Sequence, residues 1–338
     1  MLGSYRLGLA LLVALSHIGT SIAGHNPGVV AVVGFYLVSG YVMTGLLRSH
    51  YTRLDRIPAF YADRLLRLYP AYLSIACMTY AWFLLTGVRT EYLRTSPRLG
   101  NIVENVTVVP LNFYMFNHAD QFTLIPPAWS LGAEMQFYLI IPLLLFIRAG
   151  MRVWALSVSI AIFLAAAFGF VNSDWYGYRL LPGVLFMFLL GSWLYDMHQA
   201  REPSVRAPIV LMVIALVANV GVALHLAGKL LVPYNLEILG GLVLGIVTLN
   251  VLGHRSRNKV DDALGNLSYG VFLNHFLIMW AFFDGRVEGF ISTASYLGIS
   301  VLIAFVMYSV VERPVLTFRR DLRKSPGTQR VLLDLERR

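Results

Sequence analysis

The 338-residue chain has a single cysteine, Cys77, and only 13% charged residues. One thiol excludes an intrachain disulfide and any cysteine-rich metal site, and no metal is expected. So little charge, set against 57% hydrophobic residues, leaves too little polar surface to coat a soluble globule of this length. Several chemical signatures are missing too. There is no Walker phosphate loop, no GxGxxG following a strand, no HExxH and no GxSxG, so nucleotide hydrolysis, dinucleotide chemistry, zinc proteolysis and serine hydrolysis have no support. Tandem repeats and low-complexity tracts are absent as well.

What the chain does have is apolar runs of about 18 to 22 residues, the length of membrane helices rather than of the short alternating strands of a barrel. Ten helices are expected, at 6–24, 28–47, 69–87, 127–147, 153–171, 180–196, 208–226, 235–252, 264–283 and 293–312. The fold class is therefore an all-α polytopic membrane protein, about ten transmembrane helices in one bundle. With alternating loops and a cytoplasmic N-terminus, the inner segments hold 21 of the 27 Lys and Arg and the outer ones six. This bias follows the positive-inside rule and places both termini in the cytoplasm. The basic surplus is thus topology, and no nucleic-acid partner is expected. Arg6, the run LGLALLVAL and the stretch SIAG imitate a signal peptide, but cleavage leaves nine spans and inverts the loop bias. Residues 1–315 are expected to form one membrane domain and 316–338 a basic cytoplasmic tail on anionic lipid. The longest connection, 88–126, carries LNFYMFNHADQF, an aromatic stretch suited to a membrane interface.

Membrane spans alone do not explain several polar residues. Arg6 and His17 are eleven residues apart, close to three helical turns, so they share one face about 16 Å apart along the axis. Arg6 alone reads as a snorkelling anchor. A mid-membrane histidine is rarer and points to function, unless it is an interhelical hydrogen bonder. His275, eleven residues into the ninth expected helix, should reach nearly the same depth as His17, because both helices run the same way. Glu134 falls about two turns inside the outer end of its helix, with Tyr138 on the same face; it suits a polar acceptor pocket or an ion pair to Arg179. Arg64 and Arg67, three apart, suit either a phosphate clamp or a juxtamembrane anchor. Glu312 beside Pro314 is available to pair with a cation on that side.

Taken in order, these motifs resemble the membrane acyltransferase 3 family. The resemblance rests on Arg6 and His17 (R-x10-H), GFYLVSGYVMTG at 34–45, FYADRLLRLYPAY at 60–72, PAWSLGAEMQFYLIIP at 127–142, GYRLLPGVLFMFLLG at 177–191, LGNLSYGVFLNHF at 264–276 and VERP at 311–314. Three positions depart from the family's pattern: Asp63 with Arg64 where two basics are usual, Met135 for a second acid, and Phe276–Leu277 for aromatic–proline. The resemblance implies a bacterial inner-membrane O-acyltransferase moving an acyl group, acetyl above all, from acyl-CoA to a hydroxyl of a glycan or lipid-linked saccharide. No permanently bound cofactor is implied, acetyl-CoA being a donor substrate; membrane lipids are partners and self-association is left open. On this reading Arg6, Arg64 and Arg67 hold the CoA phosphates, and His17, His275 and Glu134 are the catalytic residues. Tyr41, Trp129, Tyr138, Arg179 and Asn274 bind substrate. His17 serves as general base or as the acylated nucleophile, and His275 orients the hydroxyl or stabilises the oxyanion. The rival classes are a transporter or flippase, whose path is also marked by midplane polar groups, and a scaffold without chemistry.

Overall fold

The structure is a computed structural model that describes residues 2–146, 149–253 and 258–316. The expected tail therefore lies, from residue 317 onward, outside the described residues. The described residues are helical with no strand, only isolated bridges. The helices are α1 Leu2–His17, α2 Pro27–His50, α3 Ile57–Thr86, α4 Leu99–Thr107, α5 Tyr114–Asn117, α6 Ala128–Phe146, α7 Ala149–Ala167, α8 Leu181–Ala200, α9 Pro203–Leu226, α10 Asn235–Leu252, α11 Lys259–Phe283 and α12 Gly289–Met307. A π-helical turn, Trp175–Arg179, precedes α8 and another, Tyr308–Glu312, continues α12.

Ten of these are long, and each overlaps one of the ten expected. Eight are long and apolar enough to cross a membrane. The other two are α1, only 16 residues, and α11, which carries Asp261, Asp262, Asn274 and His275. Two boundaries differ in ways that matter. The first helix does not reach residue 24 but stops at His17, because the chain turns through positive φ at Gly19, Ala23 and Gly24 before Asn26 caps the Gly28 amide at 2.8 Å and Pro27 opens α2. The third begins at Ile57 rather than 69 and runs through Pro70. One lost backbone hydrogen bond is tolerated in a helix braced by its neighbours, and Arg64 and Arg67 are thereby placed one turn apart on a helix face.

α2 sits at the centre of the bundle, buried on every face and packed by α1, α6, α8 and α10. Its approach to α8 is set by glycines: a Cβ on Gly40 would run into the Phe188 carbonyl, and one on Gly191 into the Leu37 carbonyl. Small residues at such a crossing let backbones meet where no hydrophobic force drives helices together. Thr44 Oγ1 donates to Ser192 Oγ at 2.7 Å across the same seam. Gly191→Val should therefore cost about 3 kcal/mol, because the obstruction is backbone and cannot step aside. A lowered midpoint of thermal unfolding in detergent is the measurement.

α1 and α11 lie parallel and are joined at both ends. The Gly3 and Ser4 amides each donate to the Asp261 carboxylate at 2.9 Å, which satisfies orphan donors of the α1 N-terminus, and the Ser4 hydroxyl donates to it too. At the other end His17 meets His275. Arg48 and Arg152 share Asp196, at 3.3 and 2.6 Å, which gathers the ends of α2, α7 and α8 into one basic end of the bundle. The 88–126 connection folds over the opposite end, pinned by Asn105, whose side chain donates to Phe122 O and accepts from Leu124 N at 2.8 Å each.

Candidate active site

Two cavities lie along α2. The first, toward the basic end, has a volume of about 110 Å³ and collects Arg6 from α1, Arg64 and Arg67 from α3, Glu134 and Tyr138 from α6 and Tyr269 from α11. The second, about 280 Å³, lies under the 88–126 connection and takes His17 from α1 together with Tyr92, Tyr114, Trp129, Tyr178 and Arg179. Val32, Ser130 and Phe272 line both, so the cavities meet there. Phe35, on the wall of the basic cavity, stands edge-on to Phe272 with ring centroids 6.1 Å apart.

The three arginines of the basic cavity are not equivalent. Arg64 is buried, its Nε on Asp63 at 3.0 Å and a second nitrogen on the same oxygen. Arg67 is ion-paired with Glu312 and lies over the Tyr269 ring, 5.5 Å from its centroid. Arg6, half-buried, has no hydrogen bond or ion pair among the described residues. Of the expected clamp, then, two members already face carboxylates and the third is the open cation. Glu134 does not reach Arg179: its Oε1 accepts from Ser39 Oγ at 2.5 Å and Tyr138 Oη at 2.6 Å, and it lines the basic cavity. Ser130, one turn earlier on α6, already stands at the junction, so Glu134 lies past it on the basic side rather than in the pocket with Arg179.

His275 is fully buried and His17 is exposed where it lines the second cavity. Their rings stack at 18° with centroids 5.1 Å apart, and His275 Nε2 lies 3.1 Å from His17 Nδ1. His275 Nδ1 lies 3.1 Å from the Val271 carbonyl. A carbonyl only accepts, so Nδ1 of His275 carries the hydrogen, its Nε2 accepts, and His17 Nδ1 is the donor. The pair therefore leaves a bare lone pair on His17 Nε2, the form a general base requires. Phe276, one of the residues that depart from the family's pattern, packs on the His17 ring at 4.7 Å.

In the second cavity Arg179 pairs with Asp174 at 2.8 Å and lies over Trp129, 4.5 Å from its centroid, between Tyr114 and Tyr178. Glu91, Arg94 and Asp120 complete its polar wall. Burial pushes the phenols of Tyr92 and Tyr114 up, Tyr114 to about 12, so both stay hydrogen-bond donors at neutral pH. Asn112, which the sequence did not single out, braces this wall by donating to the carbonyls of Trp129 at 3.1 Å and Arg179 at 3.0 Å.

Two expected substrate contacts lie elsewhere. Tyr41, 6% exposed, donates to Gly253 O at 2.9 Å and meets His198 at 3.0 Å; two residues from Ser39, it points about 200° away around α2. Asn274, fully buried, donates to Ser300 O at 2.8 Å, because one step from His275 it faces α12 instead. Neither lines either of these two cavities.

A match to the acyltransferase domain family extends over residues 6–309, so it takes in both cavities and every residue named in them except Glu312. The chain belongs to the acyltransferase 3 family. The matched model is of an acyltransferase domain, which gives the chain its enzymatic class. This acyltransferase is similar to an uncharacterized protein of Aquifex aeolicus (strain VF5), 36% identical over 204 residues that cover 59% of this chain and 90% of that protein. It is also similar to O-acetyltransferase OatA of Staphylococcus aureus (strain NCTC 8325 / PS 47), 34% identical over 126 residues, 36% of this chain and 20% of OatA. SAS0844 of Staphylococcus aureus (strain MSSA476) aligns at 25% identity over 94% of this chain and 58% of its own length. The acyltransferase thus matches only part of the length of its staphylococcal relatives. No solved structure matches it.

Proposed function

We propose that this acyltransferase takes an acetyl group from acetyl-CoA at the basic cavity and delivers it to a glycan hydroxyl in the second cavity, across a bacterial inner membrane with the basic end cytoplasmic. The observation that carries the reading is the meeting of the two cavities at Val32, Ser130 and Phe272, with a base poised just beyond the junction. Interfacial arginines suit the donor's phosphates. Arg6 and His17 stand about 16 Å apart on one helix face, a reach suited to the slender pantetheine arm. The far cavity offers aromatic faces for the apolar side of a sugar ring, with Glu91, Asp120, Arg94 and Arg179 for its hydroxyls.

In the reaction, His17 Nε2 removes the proton of the acceptor hydroxyl as its oxygen attacks the thioester carbon. The tetrahedral intermediate collapses, the carbon–sulfur bond breaks, and the departing thiolate takes that proton back from His17. An ester and free CoA result, and the histidine pair is restored. His275, donating to Val271 and accepting from His17, fixes the tautomer and ring orientation of the base. Purified protein in liposomes, given labelled acetyl-CoA at the basic face and a polysaccharide at the other, should place covalent label on the glycan. Label that crosses without becoming attached would instead indicate a transporter.

A further inference from the structure

Tyr36 is 2% exposed, lines the basic cavity, and its hydroxyl has no hydrogen-bond partner. Leaving such a group unpaired in a protein interior is costly. The other hydroxyls on that cavity's wall are committed: Ser39 and Tyr138 to Glu134, Ser130 to Pro127 O, Ser268 to Gly265 O and Tyr269 to Leu68 O. Among the described residues, Tyr36 therefore supplies the one hydroxyl of this cavity free to meet a bound molecule.

Its position along α2 narrows what that molecule presents. Val29 lines the second cavity alone, Val32 lines both, and Tyr36, one turn on, lines only the basic cavity. On α11 the junction residue is Phe272, and His275 lies about one turn beyond it on the side of His17. The phenol and the histidine pair thus flank the junction from opposite sides. A phenol donates, and the group that crosses the junction in the reaction is the acyl thioester, whose oxygen accepts a hydrogen bond and gains negative charge as the hydroxyl adds.

We infer that the Tyr36 hydroxyl donates its hydrogen bond to the carbonyl oxygen of the donor's acyl thioester, stabilising the oxyanion opposite His17, and is thus a further catalytic residue of this acyltransferase. This rests on the acyl-CoA reading above. Donors held ready for a developing oxyanion act most strongly in a water-poor site, and removing one lowers kcat by about 10² to 10³.

Tyr36→Phe deletes only the hydroxyl and keeps the ring packed on Phe188, 4.5 Å between centroids. Steady-state acyl transfer with acetyl-CoA should show kcat about 10²-fold lower and KM for acetyl-CoA within about twofold of wild type. Thermal stability should not fall, since no protein hydrogen bond is lost. Unchanged kcat overturns the assignment, as does a raised KM with kcat intact, which would move the hydroxyl's contact to another part of the donor. Wild-type protein that transfers nothing from acetyl-CoA overturns the donor reading itself, and that is seen before the variant is compared.

Discussion

His17→Ala is expected to insert and fold as wild type yet lose acyl transfer by about 10²- to 10⁴-fold, the usual contribution of a positioned general base. Folding should survive because His17 is the last residue of α1, exposed to a cavity, and its one cross-helix hydrogen bond is to His275. The effect should fall on kcat, since the imidazole reaches the acceptor's proton and not the CoA phosphates. His275→Ala tests the arrangement differently. It removes the acceptor of the His17 Nδ1 hydrogen and so frees the base to rotate, and His275 is fully buried, so some loss of stability accompanies the loss of rate. The double variant should be scarcely slower than His17→Ala, because residues that act as a unit are not additive. Single-turnover transfer to a soluble glycan, with circular dichroism and thermal unfolding as folding controls, measures all three. Full activity in His17→Ala would remove the base from the mechanism.

Arg6→Ala should raise the KM for acetyl-CoA by about 10- to 10²-fold, with kcat changed far less. One charge-assisted hydrogen bond to a phosphate contributes about 1.5–3 kcal/mol, and Arg6 is the arginine of the basic cavity with no protein partner among the described residues. Its neighbours should behave otherwise. Arg67→Ala leaves the buried Glu312 without its cation, and Arg64→Ala removes the cation beside buried Asp63; breaking such a pair costs about 3–5 kcal/mol of stability. The expected contrast is lost binding with intact stability at position 6, against lost stability at 64 and 67. Donor titrations run beside thermal unfolding separate them, and a snorkelling anchor at Arg6 would leave the KM unmoved.

The helices were legible because apolar stretches of membrane length leave little choice, and eight of the helices meet that measure outright. The meeting of His17 and His275 was legible for a subtler reason. Both helices start before the apolar run that announces them, at Leu2 and Lys259, and by similar amounts, so an error in each depth cancels in the comparison. Glu134 was set in the acceptor pocket because nothing along the chain marks where the two cavities divide: the junction at Ser130 lies only about half a turn inside α6, so a residue one turn further on falls on the basic side. Tyr41 and Asn274 were carried by motifs, which mark a stretch of chain without saying which of its residues face the cavity. Counting turns from Ser39 would have turned Tyr41 away and brought Tyr36, three residues earlier, onto the cavity face with Val32. The pairing of Arg67 with Glu312 joins residues 245 apart in sequence, and no local pattern orients that contact.

The double attachment of α1 to α11 has a mechanical consequence. One helix is held to the other by Asp261 at its beginning and by the histidine pair at its end, so the two behave as a single stiff stator carrying Arg6 and the base at a constant separation. The spacing between the cation of one cavity and the imidazole of the other is therefore a property of one braced rod, fixed before anything enters either cavity.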